Sequence, residues 1–232
     1  MPAHAVVVGA SSTIGAAIAR RVAAHVDVVH LWGRDEVRLA EAADGCRPLA
    51  TALTHRVDVR DAEQVGAALQ QVPAEEPLRT VVWAAGLFDW GATDTADPVR
   101  WQQLLDTNLT AAAVLTARVG PALVRSAPSS LVFIGSGAAS QAYPDNAAYV
   151  ASKHGLAGLS RAVFLDLRDR DVKVSLVSPG LVAAGAGLLS PQGQARPDSL
   201  IQPEDVADAV EFVLTSPPHV CPTEIRLAPQ RS

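Results

Sequence analysis

The chain has 232 residues, 49% of them hydrophobic and 19% charged, which is enough apolar material for one substantial core and too much for a disordered segment. Its net charge of −5 argues against the basic field of a nucleic-acid-binding protein, and no apolar run approaches the ~18 residues of a membrane-spanning helix. Cys46 and Cys221 have no metal-ligand spacing and fit a reducing compartment better than a disulfide framework; the N-terminus lacks the basic region and long apolar stretch of a signal peptide, so the expected location is cytoplasmic.

In chain order, Ala5–Val8 reads as a buried strand ending at Gly9, with a tight turn into a helix over Thr13–His25. Further strands are expected at Val26–Leu31, Thr54–Val59, Thr80–Trp83, Leu131–Ile134, Val172–Val177 and Glu224–Leu227. Helices are expected at Glu36–Ala43 and Ala62–Val72, from about Pro98 to Val119, from the Tyr149 region to about Leu167, and at Glu204–Leu214. Gly180–Gln202 is rich in Gly, Pro, Ala and Leu and reads as a lid or binding loop. Apolar strands alternating with helices predict an α/β fold: a doubly wound, Rossmann-type parallel sheet of about seven strands with helices on both faces. No internal repeat or linker divides it, so one domain over residues 1–232 is expected.

Two stretches carry chemistry. Tyr149 and Lys153 are four residues apart on a predicted helix, so they share one face and present a phenol and an ammonium to one small molecule. A free Tyr titrates near 10; a neighbouring Lys⁺ is expected to lower that value and make a usable general acid/base. Gly9-Ala-Ser-Ser-Thr-Ile-Gly15 sits at the first strand-to-helix turn, where glycine admits a pyrophosphate and the helix N-terminus offers free N–H groups. Ser11, Ser12 and Thr13 add hydroxyls. The spacing is not GxGxxG, and the turn alone reads equally as a cofactor site or as a helix cap.

Taken together and in order, these stretches resemble the short-chain dehydrogenase/reductase family. The glycine motif falls on Gly9, Thr13, Ile14 and Gly15, the YxxxK motif on Tyr149 and Lys153, and the active-site serine thirteen residues earlier on Ser136. The helix asparagine falls on Asn108, the segment after the fourth strand on Trp83-Ala-Ala85-Gly86, Asp-Val on Asp58-Val59, and Pro-Gly on Pro179-Gly180. The resemblance implies an NADP(H)-dependent interconversion of a ketone and its alcohol, with Asn108, Ser136, Tyr149 and Lys153 as the catalytic set. Ser136 is expected to bond the carbonyl oxygen, Tyr149 to exchange its proton, and Lys153 to hold the cofactor ribose and lower the Tyr149 pKa. Asn108 is expected to hold a relay water. Gly33 stands at the acidic position of NAD-binding members and Arg34 follows it, so NADP(H) is favoured over NAD(H). Asp58 is expected to accept from the adenine amino group, near the Val59 amide.

Thr13 replaces the middle glycine of the family loop, where a side chain crowds the pyrophosphate or replaces a contact, and Ala184 stands where many members have a threonine at the nicotinamide. Leu87, Phe88, Trp90, Tyr143, Leu181, Leu188 and Leu189 point to an apolar or aromatic carbonyl substrate, with ordinary loop packing as the equal alternative. The competing functional readings are a cofactor-binding regulatory protein without turnover, and reduction of another bond such as C=N. His154 reads as structural, and His4, His25, His30, His55 and His219 form no ligand spacing, so no metal is expected. By resemblance, the long helices after the fourth and fifth strands build a homodimer or homotetramer.

Overall fold

The computed structural model describes residues 1–230. Among them β1 (His4–Val8), β2 (Val28–Gly33), β3 (Thr51–Arg56), β4 (Leu78–Trp83), β5 (Ser129–Ile134), β6 (Val172–Pro179) and β7 (Glu224–Leu227) form one sheet in the order β3-β2-β1-β4-β5-β6-β7. Every strand pair is parallel. Because successive side chains alternate across the sheet, each strand feeds two cores. Ala5, Val7, Val29 and Leu31 pack against α1 (Thr13–Ala23), α2 (Glu36–Cys46) and α9 (Pro203–Thr215). Val6, Val8, Trp32 and Phe133 face α3 (Ala62–Leu69), α5 (Ala111–Arg125) and α6 (Ala147–Leu167) on the other side. The fold is thus the doubly wound Rossmann-type sheet with helices on both faces. The sheet order reverses between β1 and β4, and their carboxyl ends open the crevice where ligands bind in such sheets.

Short polar side chains set where helices start. Ser12 caps α1, Asp35 caps α2, Asp61 caps α3 and Asp97 caps α4 (Pro98–Leu105), each accepting from a first-turn N–H. The single helix expected from Pro98 to Val119 is interrupted: α4 gives way to a π-turn over Asp106–Thr110 before α5 begins. β3 begins and ends three residues earlier than its expected Thr54–Val59, because as an edge strand it leaves most side chains in solvent and has little apolar pattern. Asp58 and Val59 therefore follow the strand. β2 runs to Gly33, two residues past the expected end. The segment expected as a loop over Gly180–Gln202 folds into two short helices, α7 (Ala186–Leu189) and α8 (Pro191–Ala195). No helix among the described residues is long and apolar enough to cross a membrane.

Three histidines that show no pattern in the sequence meet in the structure. His30 lies two register steps beyond His4 across β1 and β2, and His55 two beyond His30 across β2 and β3. All three project from one face. His4 Nδ1 lies 2.9 Å from His30 Nε2, His30 Nδ1 lies 3.0 Å from His55 Nε2, and His4 Nε2 meets the Glu76 carboxylate. An ionised Glu76 accepts a proton-bearing Nε2 from His4, which leaves each following imidazole to donate Nε2–H to the one before it. The rings stack at 5.2 and 5.1 Å. Burial, reinforced by its two neighbours, pulls the His30 pKa down to about 4, and burial lowers that of His55.

A histidine kept neutral in the fold but free to charge when unfolded withdraws stability once pH falls below its unfolded value near 6.5, down to its folded value. Thermal melts should therefore show Tm falling between pH 6.5 and about 4, the folded value of His30. A Tm flat across that window would contradict the neutral ladder.

Candidate active site

At the first turn, Gly9 has φ +89°, a conformation open to glycine, and an added Cβ would lie 2.6 Å from the backbone nitrogen of Ala85. A Cβ on Gly15 would lie 2.1 Å from the Gly9 carbonyl oxygen. The two glycines let the turn close tightly beside the loop after β4. Thr13 and Ile14 occupy the first two positions of α1, where the N–H groups have no intrahelical acceptor. Such N–H groups at a helix start are suited to an anion. The Thr13 side chain is exposed. The Ser12 hydroxyl, expected as a phosphate donor, is used within the loop: it accepts from Gly15 N at 3.0 Å and donates to the Gly9 carbonyl at 2.8 Å.

Ser11 fills the space beside Gly33, so that a Cβ on Gly33 would lie 2.5 Å from Ser11 Oγ. Arg34, next in the chain, is exposed. Asp58 does not wait for a partner. Its Oδ1 accepts from Arg60 N and Nε, both at 3.0 Å, and its Oδ2 accepts from Arg60 Nη2 at 2.6 Å. The Arg60 hydrogen bonds hold the Asp58 carboxyl down to about 2. The adenine contact expected of Asp58 therefore competes with a two-pronged arginine, which sequence reading overlooked although it lies two residues away.

The four residues of the catalytic set converge at the crevice. Asn108 lies in the π-turn and is fully buried; its Nδ2 donates to Leu87 O at 2.9 Å and to Ser152 Oγ at 3.0 Å, and its Oδ1 accepts from Leu87 N at 2.7 Å. The amide thus clamps the loop after β4 to α6. That loop begins at Ala85-Gly86, and a Cβ on Gly86 would come within 3.7 Å of Lys153 Nζ. Ser152, missed in the sequence, follows Tyr149 by one helical turn and passes its own hydroxyl hydrogen to Tyr149 O at 2.7 Å. Ser136 ends β5's extension with extended backbone (φ −172°) and accepts from Ala138 N, and its side chain acts on the Tyr149 phenol to lower its pKa. Lys153 is buried, its Nζ 5.8 Å from the Tyr149 ring centre and donating to Ile134 O at 3.0 Å.

The expected electrostatics of the pair need correcting. Burial raises the Tyr149 pKa above its ordinary value, only partly offset by the Ser136 hydrogen bond. Burial also lowers Lys153 to about 8. Desolvation penalises both charged forms, and it outweighs the attraction that helical spacing alone implies. At the far side Pro179 ends β6, and Gly180 N donates to Leu227 O at 2.8 Å, fixing that corner to β7. Ala184 N is turned to Val182 O. His154, next to Lys153, is exposed and faces Val150 O. Among the described residues, no group of three or more His, Cys, Asp or Glu side chains has the arrangement of a metal site.

Comparison with known proteins decides the family. The model of the short chain dehydrogenases matches residues 3–194. The chain belongs to the short-chain dehydrogenase family. It is 32% identical to sulfoacetaldehyde reductase 2 of Chromohalobacter salexigens, over 97% of this chain and 93% of that protein. A metagenomic short-chain oxidoreductase solved with NADP is 31% identical, with a TM-score of 0.83 over 98% of this chain and 97% of that one. A variant of the actinorhodin polyketide ketoreductase solved with NADPH is 26% identical, with a TM-score of 0.89 over 97% and 95% of the two chains. This short-chain dehydrogenase is thus a member of an oxidoreductase family.

Asn108→Ala should lower stability by roughly 2 kcal/mol, because it removes the partner of the part-buried Leu87 N–H and carbonyl and one of the two bonds of the Ser152 hydroxyl. Ser152→Ala removes one partner and should cost about 1 kcal/mol. Denaturant unfolding of both variants measures the difference.

Proposed function

We propose that this protein is an NADP(H)-dependent oxidoreductase that interconverts a ketone and its alcohol, with Tyr149 as the general acid/base. The observation that carries the reading is the Lys153 ammonium, buried 5.8 Å from the Tyr149 ring centre at the open end of the sheet, with Ser136 acting on the same phenol. A bound nicotinamide cofactor supplies two electrons and a hydrogen as hydride to the carbonyl carbon. The chain's residues do the rest. Ser136 Oγ donates to the carbonyl oxygen, whose negative charge grows as the carbon is reduced; a donor so placed is worth about 10²–10³ in rate. Tyr149 gives that oxygen its proton, completing the alcohol, and takes it back in oxidation. Burial keeps the phenol protonated at neutral pH, so the proton that reduction requires is in place. Lys153 holds its charge near the phenol and stabilises the phenolate left behind. Asn108 keeps the loop carrying Gly86 in place through its two bonds to Leu87.

The cofactor fits what the residues offer. The glycine turn, the unpaired N–H groups of Thr13 and Ile14, and the Pro179-Gly180 corner suit a dinucleotide laid across the crevice. The position where an acidic residue accepts from a ribose 2′-hydroxyl is glycine, closed off by Ser11, and exposed Arg34 follows it, an arrangement suited to a 2′-phosphate. The two neighbours solved with NADP or NADPH support the same choice. We read the assembly as a homodimer or homotetramer built on α5 and α6, which leave Val114 and Leu165 45% and 60% exposed, and the setting as cytoplasmic.

Nucleotide titration and steady-state rates test this reading together. Tyr149→Phe should abolish turnover while leaving NADPH affinity within about 3-fold, since only the proton donor is removed. Arg34→Ala should weaken NADPH by roughly 10-fold or more and leave NADH nearly unchanged. Turnover retained in the Tyr149 variant, or equal loss of both nucleotides in the Arg34 variant, would refute the corresponding assignment.

A further inference from the structure

The loop after β4 is held to α6 by both sides of the Leu87 peptide, through Asn108. That clamp fixes the next residue. Phe88 meets the Tyr149 ring edge-on, with centres 5.0 Å apart and planes at 71°, and Trp90 meets Phe88 at 6.4 Å and 85°. Gly91 N then donates to Asp145 O at 2.9 Å, which ties this loop to the segment after β5 that carries Tyr143. Tyr143 in turn stands beside Gly137, the neighbour of Ser136: a Cβ on Gly137 would lie 3.2 Å from its hydroxyl. Aromatic rings thus flank the Ser136–Tyr149 pair from two loops.

These rings are open to solvent. Phe88, Trp90 and Tyr143 are 40%, 58% and 47% exposed, in a chain with only four Phe, four Trp and two Tyr. Exposed aromatic area gathered at one place beside a reactive group marks a binding surface, whereas scattered exposure would not. Of the nearby carboxylates, Asp89, between the two rings, is paired with Arg100 at 3.6 Å, and Asp145, exposed where its carbonyl meets Gly91, is in no ion pair among the described residues. The surface therefore suits a neutral ring better than an anionic group.

Resting on the carbonyl-reducing reading, we propose that Phe88 and Trp90 form an aryl-binding wall and that the substrate is a ketone with an aromatic ring next to its carbonyl. With the carbonyl oxygen held by Ser136 and Tyr149, one carbonyl substituent lies along the Tyr149 ring toward Phe88. An aromatic substituent there continues the edge-to-face series that Tyr149, Phe88 and Trp90 already form. Such ring pairs add roughly 2- to 10-fold in affinity beyond the burial of their area, which a saturated ring of the same size does not gain.

The test compares methyl phenyl ketone with methyl cyclohexyl ketone in the native chain and in Phe88→Leu and Trp90→Leu, following NADPH oxidation. NADPH titration of each variant shows that it is folded. The kcat/KM ratio of aryl over cyclohexyl ketone should fall about 5- to 10-fold in either variant, carried by KM for the aryl ketone. Taking the ratio cancels the intrinsic reactivity of the two ketones and any general loosening of Tyr149. A ratio unchanged by both substitutions overturns the wall and leaves the oxidoreductase reading standing. If neither ketone is turned over, saturation transfer to the phenyl protons decides: transfer lost in the variants keeps the wall and refutes the proposed reaction on these ketones, and no transfer in the native chain overturns the wall.

Discussion

Much of the active site hangs on one amide. Asn108 makes three hydrogen bonds in a space closed to water, two to the Leu87 peptide and one to Ser152. Those bonds join the loop after β4 to α6 across the mouth of the sheet, and so fix how far Gly86 and Phe88 stand from Lys153 and Tyr149. The π-turn that interrupts the long helix is the local cost of this arrangement: a wider turn over Asp106–Thr110 brings the amide to the crevice. Such turns recur at functional sites because they re-aim one side chain without moving the helix as a whole.

Burial shapes the chemistry as much as proximity does. Tyr149 and Lys153 both sit where charge is poorly solvated, and the same desolvation drives the phenol up and the ammonium down toward about 8. Their affinities for a proton therefore move apart, from ordinary values that lie close together near 10. The phenol is not acidified by this environment. Ser136 adds the one polar contact that opposes the burial of Tyr149.

Running diagonally from the amino end of β1 toward the carboxyl end of β3, the histidine ladder shows the same low-polarity interior used for structure. His4, His30 and His55 satisfy one another, and Glu76 sets the direction in which all three donate. The ladder crosses from the central β1 to the edge strand β3. There the side chains alternate with solvent and apolar packing is thin, so polar pairing reinforces the sheet where hydrophobic contact does not.

The architecture, and the residues that could form a site, were legible along the chain alone. Val6-Val7-Val8 and Leu131-Val-Phe133 are apolar on both faces, which only a sheet covered twice can accommodate, and Tyr149, Lys153, Ser136 and Asn108 stand at spacings that name their family. Tertiary structure alone decided how those residues behave. It turned the Ser12 hydroxyl into a cap, gave Asp58 to Arg60, broke the Pro98 helix at Asn108, set Phe88 against Tyr149 and joined three scattered histidines. The reason is physical. Periodicity records which face of an element is buried, whereas a hydrogen-bond partner or a shifted pKa depends on what a different element brings to the same few ångströms, and on how much water is left there.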